Sequence, residues 1–312
     1  MVTDPSPELP VRVGPITIDT ARPVDLSLTL ALAGRDRTMR VAGNEAWRAS
    51  RTPDGPATLH LRMIGLDRVE ACAYGPGATW ALAHAPELLG AADGGGGLEH
   101  DAHPLVRRLA RRFAGWRIGA TGDPFAALIP TVLEQKVQGA SARTSYRALL
   151  RAQRAPAPIA PGGPPLLLPP SPEWLLVQSS WAWHRWGVEA KRATTIRTAA
   201  SYAHRVAETA TMEPAPARAR LLALPGIGPW SVAEVAAVAF GDPDAVSVGD
   251  YWLCHWVCHN LGGRARGTDD EMLELLAPWA GQRGRVSRLL MLGGDPPPRF
   301  GPRLAFQPIA HL

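Results

Sequence analysis

The chain has 312 residues, 46% apolar and 20% charged, so it folds around a core and is not disordered. No run approaches the ~20 uninterrupted apolar residues of a membrane span, and three Cys exclude both a disulfide framework and a four-thiolate iron–sulfur cluster. The net charge of +5 is unevenly spread: residues 1–100 hold 9 Arg and no Lys against 12 Asp and Glu, a net of −3, which leaves +8 on the remainder.

The chain opens on MVTDPSPELP, without the basic start and apolar stretch of a secretory leader; with the low Cys count this points to the cytoplasm. Residues 11–75 read as an antiparallel meander. Thr58–Met63 alternates polar and apolar, the period of a half-buried strand, and Val69–Tyr74 does so more weakly. Thr52-Pro53-Asp54-Gly55 is a turn, because Pro presets φ and Gly accepts positive φ. Residues 78–90 read as helical. Asp93 and the four glycines after it are expected to be a flexible break between two units, residues 1–98 and 99–312.

Beyond the break the pattern is helical. Leu105, Leu109 and Phe113 recur at spacing four, with Arg107, Arg108, Arg111 and Arg112 on other faces. Asp123-Pro124 reads as an N-cap with a first-turn proline, opening a helix through Val137, with a kink expected at Pro130. Ser141 is expected to cap the next helix. Residues 155–173 are a Pro-rich connector, expected to be extended and exposed.

The most informative stretch is 216–262. A helix ends at Leu224-Pro225-Gly226-Ile227-Gly228-Pro229, and a second starts at Trp230 and runs to about Phe240. Glycines let such a hairpin turn sharply and approach a ligand. The second helix then aims free N–H groups and positive dipole outward, which suits a phosphate. A short apolar run, Ala245–Val248, leads to Gly249-Asp250-Tyr251 at another helix start.

The hairpin and the aspartate some twenty residues later resemble the helix-hairpin-helix superfamily of DNA base-excision glycosylases. Leu133-Glu134-Gln135 looks like the family's Gln-bearing helix, and Gly187–Ala193 like its glycine-to-basic helix entry. The β-rich first unit is similar to that of the 3-methyladenine DNA glycosylase II type. The resemblance implies a mainly α fold, with two helical lobes around a cleft and an antiparallel α+β domain in front.

It also implies roles. Asp250 becomes the catalytic carboxylate, which stabilises an oxocarbenium-like transition state or helps a water attack; the same residue reads as a plain N-cap. Bifunctional relatives carry a lysine nucleophile where this chain has Trp230, and an indole cannot form a Schiff base. The implied enzyme is therefore a monofunctional hydrolase that removes 3-methyladenine or 7-methylguanine type bases from duplex DNA by base flipping. Trp230, Gln135, Glu234 and Tyr251 are its candidate base-pocket residues. Stacking a cationic base on Trp230 adds about 0.5–2 kcal/mol of cation–π attraction.

Leu224, Pro225, Gly226, Ile227, Gly228 and Lys136 are the candidate DNA-binding residues. Lys136 stands where relatives often place an apolar wedge. Core packing for Trp230 and a solvated helix surface for Gln135 are the competing readings. No cofactor is implied beyond a monovalent cation at the hairpin, and no metal site is expected. The expected partner is damaged double-stranded DNA, met by a monomer in the cytoplasm at the nucleoid, away from any membrane.

Arg143, Arg147, Arg283, Arg285 and Arg288, with the four arginines above, would add phosphate contacts. Cys254, His255, Cys258 and His259 share one helix and read as buried thiols beside a polar His face. Trp181, Trp183 and Trp186 do not share a helical face. A non-catalytic DNA-binding module and a glycosylase for deaminated or oxidised bases remain as alternatives.

Overall fold

The computed structural model describes residues 11–298 apart from Arg35; the opening decapeptide, read above for a leader, lies outside these residues. Five strands, β1 (Arg12–Asp19), β2 (Met39–Ala42), β3 (Glu45–Thr52), β4 (Gly55–Met63) and β5 (Arg68–Tyr74), form one antiparallel sheet in the order β1-β5-β4-β3-β2. β2 to β5 are the expected meander, and β1 returns to pair with β5. The β3–β4 connection is the expected turn: Thr52 pairs with Gly55, whose φ of +119° suits a residue without a Cβ.

Alternation along the strands gives the sheet two buried faces. Leu59, Leu61, Val69, Ala71 and Ala73 pack against three short helices, α1 (Leu26–Thr29), α2 (Ala78–Ala83) and α3 (Ala85–Leu88). Trp47, Ala49, Cys72 and Tyr74 point the other way and are covered by Ala157, Ala160, Leu166 and Leu168. The Pro-rich connector is therefore not an exposed spacer. It folds back on itself through a Pro156–Leu167 bridge. It is also tied to the first unit by hydrogen bonds from Thr58 Oγ1 to the Pro158 carbonyl (2.6 Å), Arg51 Nε to the Pro169 carbonyl (2.7 Å) and the Leu167 amide to the Arg37 carbonyl (2.8 Å). Burial of Leu166 and Leu168 alone contributes roughly 3–6 kcal/mol. Composition signals extended chain here, but an apolar sheet face supplied a surface for it to bury.

The expected flexible break is also an anchor. The Asp93 carboxylate accepts from the Gly95 amide (2.9 Å), the Ile118 amide (2.8 Å) and the Arg285 guanidinium. Its carbonyl accepts from Arg22 (2.6 Å) and Arg117 (3.3 Å). Arg117 is buried and also donates to the carbonyls of Gly90, Thr20 and Arg22. A 3-10 segment, Gly95–His100, follows directly.

The remaining helices are α4 (Pro104–Arg112), α5 (Pro124–Glu134), α6 (Gly139–Gln153), α7 (Pro172–Leu176), α8 (Ser180–Arg185), α9 (Ala190–Ser201), α10 (Ala203–Ala207), α11 (Pro214–Leu222), α12 (Pro229–Ala239), α13 (Leu253–Gly262), α14 (Asp269–Leu276) and α15 (Arg283–Gly293). They build two cores. One joins apolar residues of α5, α6, α9 and α12; the other joins α4, α13, α14 and α15. The chain is thus mainly α, with an antiparallel α+β unit at its front and two helical lobes, as the resemblance implies.

Asp123 caps α5 as expected, accepting from the Ala126 amide at 2.9 Å, and Pro130 lies inside that helix without ending it. Ser141 does not cap α6. The helix starts two residues earlier, at Gly139, after the extended Gln138.

Candidate active site

The hairpin joins α11 to α12. Gly226 has φ +86°, and a Cβ there would fall 2.2 Å from Thr195 Oγ1 on α9, so both conformation and space demand glycine. Ile227 is buried in the α5–α12 core and roots the turn. Gly228 is extended, and a Cβ there would meet nothing within 4 Å. Its smallness is thus not required by packing, and it leaves the start of α12 open. Pro229 is the first residue of α12, and no side chain caps that helix. The backbone N–H groups of its first turn suit an external anion.

Gln135, at the end of α5, braces this hairpin: its amide nitrogen donates to the Gly226 carbonyl and to Ser231 Oγ, both at 2.9 Å. The next residue, Lys136, is exposed with φ +56°, a left-handed conformation that few non-glycine residues adopt. Buried Arg192 on α9 donates to the Leu133 carbonyl at 2.8 Å and so holds the end of α5 that carries both residues. Position 192 belongs to the glycine-to-basic stretch noted in the sequence.

Asp250 lies between α12 and α13. Its Oδ1 accepts from the main-chain amides of Trp252 (2.8 Å) and Leu253 (2.9 Å), so it does cap the start of α13. Among the described residues nothing bonds to its Oδ2. The loop that carries it is fixed by ion pairs from Arg218 to Asp242 and from Arg283 to Asp244, which commit both of those carboxylates to structure. A further tie comes from α12: the Ser247 hydroxyl donates to Glu234, and the Ser247 carbonyl accepts the Asp250 amide at 3.1 Å. Burial lowers the Arg288 pKa from its ordinary value, while Glu234 and Asp242 oppose that shift.

Trp230, Glu234 and Val238 recur at spacing four and share one face of α12. Glu234 and Val238 border a cavity of about 280 Å³ between the first unit and helices α5, α6 and α12. Trp230 is half-buried one turn nearer the hairpin. Of the candidate pocket residues, Glu234 alone lines the cavity; Gln135 is represented by its neighbour Glu134. Tyr251 is 68% exposed and stands edge-on to Trp252 (5.0 Å) and His255 (6.0 Å), an aromatic group beside Asp250.

Apart from Arg143, read in the sequence as a phosphate contact, several cavity residues carried no signal in the sequence. The Ala31-Leu32-Ala33-Gly34 loop and Arg48 on β3 form one wall, and Arg143 and Tyr146 on α6 form another. Arg48 sits in a strand buried on both faces, so no alternation marks it as directed toward a site.

The remaining candidates divide. Arg285 is buried in its pair with Asp93, Arg283 is held by Asp244, and Arg107 and Arg111 donate to the carbonyls of Asp101 and Glu99. Arg285 thus serves the fold, and the other three have partners within the protein. Trp183 is buried and meets Trp186, which stacks on Trp174 at 5.2 Å, whereas Trp181 is 75% exposed. The three therefore do not line one pocket. The Cys254 and Cys258 thiols are buried, and burial raises the pKa of both.

No protein-family model and no curated protein matches the chain. Solved structures do. A 3-methyladenine DNA glycosylase from Archaeoglobus fulgidus superposes with a TM-score of 0.75 at 16% identity, over 88% of this chain and 97% of that one. The Clostridium acetobutylicum 8-oxoguanine glycosylase/lyase gives 0.66 at 12% identity, over 91% and 98%. The Schizosaccharomyces pombe 3-methyladenine DNA glycosylase Mag1, in complex with abasic DNA, gives 0.52 at 16%, over 63% and 94%. A five-stranded sheet, two helical lobes and a helix-hairpin-helix followed by a capping aspartate thus compose the fold of the helix-hairpin-helix DNA glycosylases.

Proposed function

We propose that this protein is a monofunctional DNA glycosylase that hydrolyses the N-glycosidic bond of alkylated bases in double-stranded DNA. The observation that carries this reading is Asp250. One carboxylate oxygen is spent on capping α13, while the other accepts no bond among the described residues. A carboxylate held in this way can face a deoxyribose as positive charge develops at C1′. The open start of α12 binds a DNA phosphate. Lys136, in its left-handed turn, contacts the strand near the vacated position. Trp230 walls the flipped base, and an already cationic alkylated base needs little protonation to leave. The product is an abasic site.

Mass spectrometry of bases released from methylated, oxidised and deaminated duplexes is the direct test. Release from methylated DNA is expected. Binding without release of any base would assign the chain to the non-catalytic class, and release from deaminated or oxidised DNA alone would assign another lesion.

Two outcomes follow from the residues on α12. Borohydride is expected to trap no covalent complex with DNA, because Trp230 offers no amine; a trapped adduct on denaturing gels would overturn the monofunctional reading. Glu234 borders the cavity as a carboxylate and favours a cationic base. Glu234→Gln is expected to lower the release of alkylated purines relative to neutral deaminated ones by about 3–30-fold, the range of one charge-assisted contact. An unchanged ratio would refute that role.

A further inference from the structure

Within the glycosylase reading, on which this inference rests, the structure assigns the cavity bordered by Arg48 and Glu234 to guanine-type bases. Its volume of about 280 Å³ lies just below the ~300–1,000 Å³ typical of ligand sites, which suits one base and little more. Its lining carries a donor and an acceptor of unusual strength. Arg48, on β3, is only 8% exposed. Its Nε donates to the Ala33 carbonyl (3.3 Å) and its Nη1 to Ser50 Oγ (2.7 Å). No carboxylate lies within ion-pair distance of it among the described residues, and a guanidinium has five N–H groups to satisfy. Burial lowers its pKa, with Asp123 and Tyr146 pulling the other way. A desolvated cation bordering a cavity calls for an acceptor from the occupant. Glu234 borders the same cavity from α12 and brings acceptor oxygens.

The edge of guanine that survives alkylation at N7 or N3 presents one carbonyl acceptor, O6, beside two donor groups, N1–H and the N2 amine. That order matches an arginine on one wall and the Glu234 carboxylate on another. Adenine presents an amine where guanine has O6. Against Arg48 it would set donor against donor and leave the buried guanidinium unsatisfied. A polar site built for one pattern rejects a base lacking it far more strongly than an apolar wall does. The Ala33 carbonyl, in the Ala31–Gly34 loop, orients Arg48.

The test uses duplex DNA treated with a methylating agent, which carries both 7-methylguanine and 3-methyladenine, and mass spectrometry of the released bases. The wild-type protein is expected to release 7-methylguanine with the higher kcat/KM. Arg48→Gln is expected to lower the ratio of 7-methylguanine to 3-methyladenine released by about 10–100-fold, with Arg48→Lys in between. Thermal melting of the variants reports their folding. Independently of any variant, free 7-methylguanine is expected to raise the melting temperature of the wild-type protein more than free 3-methyladenine at equal concentration. Release of 3-methyladenine alone, an unchanged ratio in folded Arg48→Gln, or a stronger shift with the adenine base would each overturn the assignment and leave the glycosylase reading standing. Release of no base from any duplex, methylated, oxidised or deaminated, would overturn the glycosylase reading itself.

Discussion

Replacing Asp250 by Asn is expected to reduce base release by at least ~10²–10³-fold, the cost of removing one preorganised electrostatic contact to a transition state. Asn keeps the side-chain oxygen that caps α13 through the amides of Trp252 and Leu253, so the loop and helix should hold their places. It removes the negative charge that would face C1′. Binding to DNA that already contains an abasic site should therefore stay within a few-fold of wild type, because hairpin and helix α12 are untouched. Single-turnover release of methylated bases and a titration of abasic duplex separate the two quantities. Undiminished release would refute the role of Asp250. Loss of both activities together would indicate that the cap had failed.

The second large effect concerns stability. Asp93→Ala is expected to lower the free energy of unfolding by about 3–5 kcal/mol, the cost of leaving one member of a buried ion pair without its partner. Both side chains of the Asp93–Arg285 pair are more than nine-tenths buried, so solvent screens them little. The substitution also orphans the amides of Gly95 and Ile118. A loss of that size is a large share of the ~5–15 kcal/mol that holds a typical protein together. Urea unfolding with linear extrapolation measures it. A change below about 1 kcal/mol would show that Arg285 finds other partners.

Features set by local chemistry were legible in the sequence. The β3–β4 turn falls on Thr52 and Gly55, because Pro and Gly restrict few neighbours beyond their own. Asp123 and Pro124 mark the start of α5 for the same reason, and the Gly226 hairpin is where its residues place it. Features set by distant partners were not legible. The Asp93 segment looks mobile by composition, yet its carboxylate answers Arg285, which lies 192 residues further on. The connector looks like a spacer until the outer face of the sheet is seen to need cover. Arg48 reads as one more strand arginine, because a cavity formed by several separate elements leaves no trace in the neighbours of any one of them. The same holds for charge: the +8 region does contain the hairpin, but Arg285 and Arg283 spend their charge inside the protein.

The connector's place on the sheet bears on how the chain matures during synthesis. The strands are complete at Tyr74, but the residues that shield Trp47, Ala49, Cys72 and Tyr74 lie at 157–168, and much of α4, α5 and α6 is made in between. A growing chain emerges N-terminus first. For the time it takes to add roughly eighty residues, at ~5–20 per second, the nascent sheet presents an uncovered apolar surface. The first unit therefore cannot finish as an independent body at the ribosome. It waits for a segment of the following unit to reach it, and a ribosome stalled between residues 75 and 168 would hold a sticky half-built sheet in place of a folded domain.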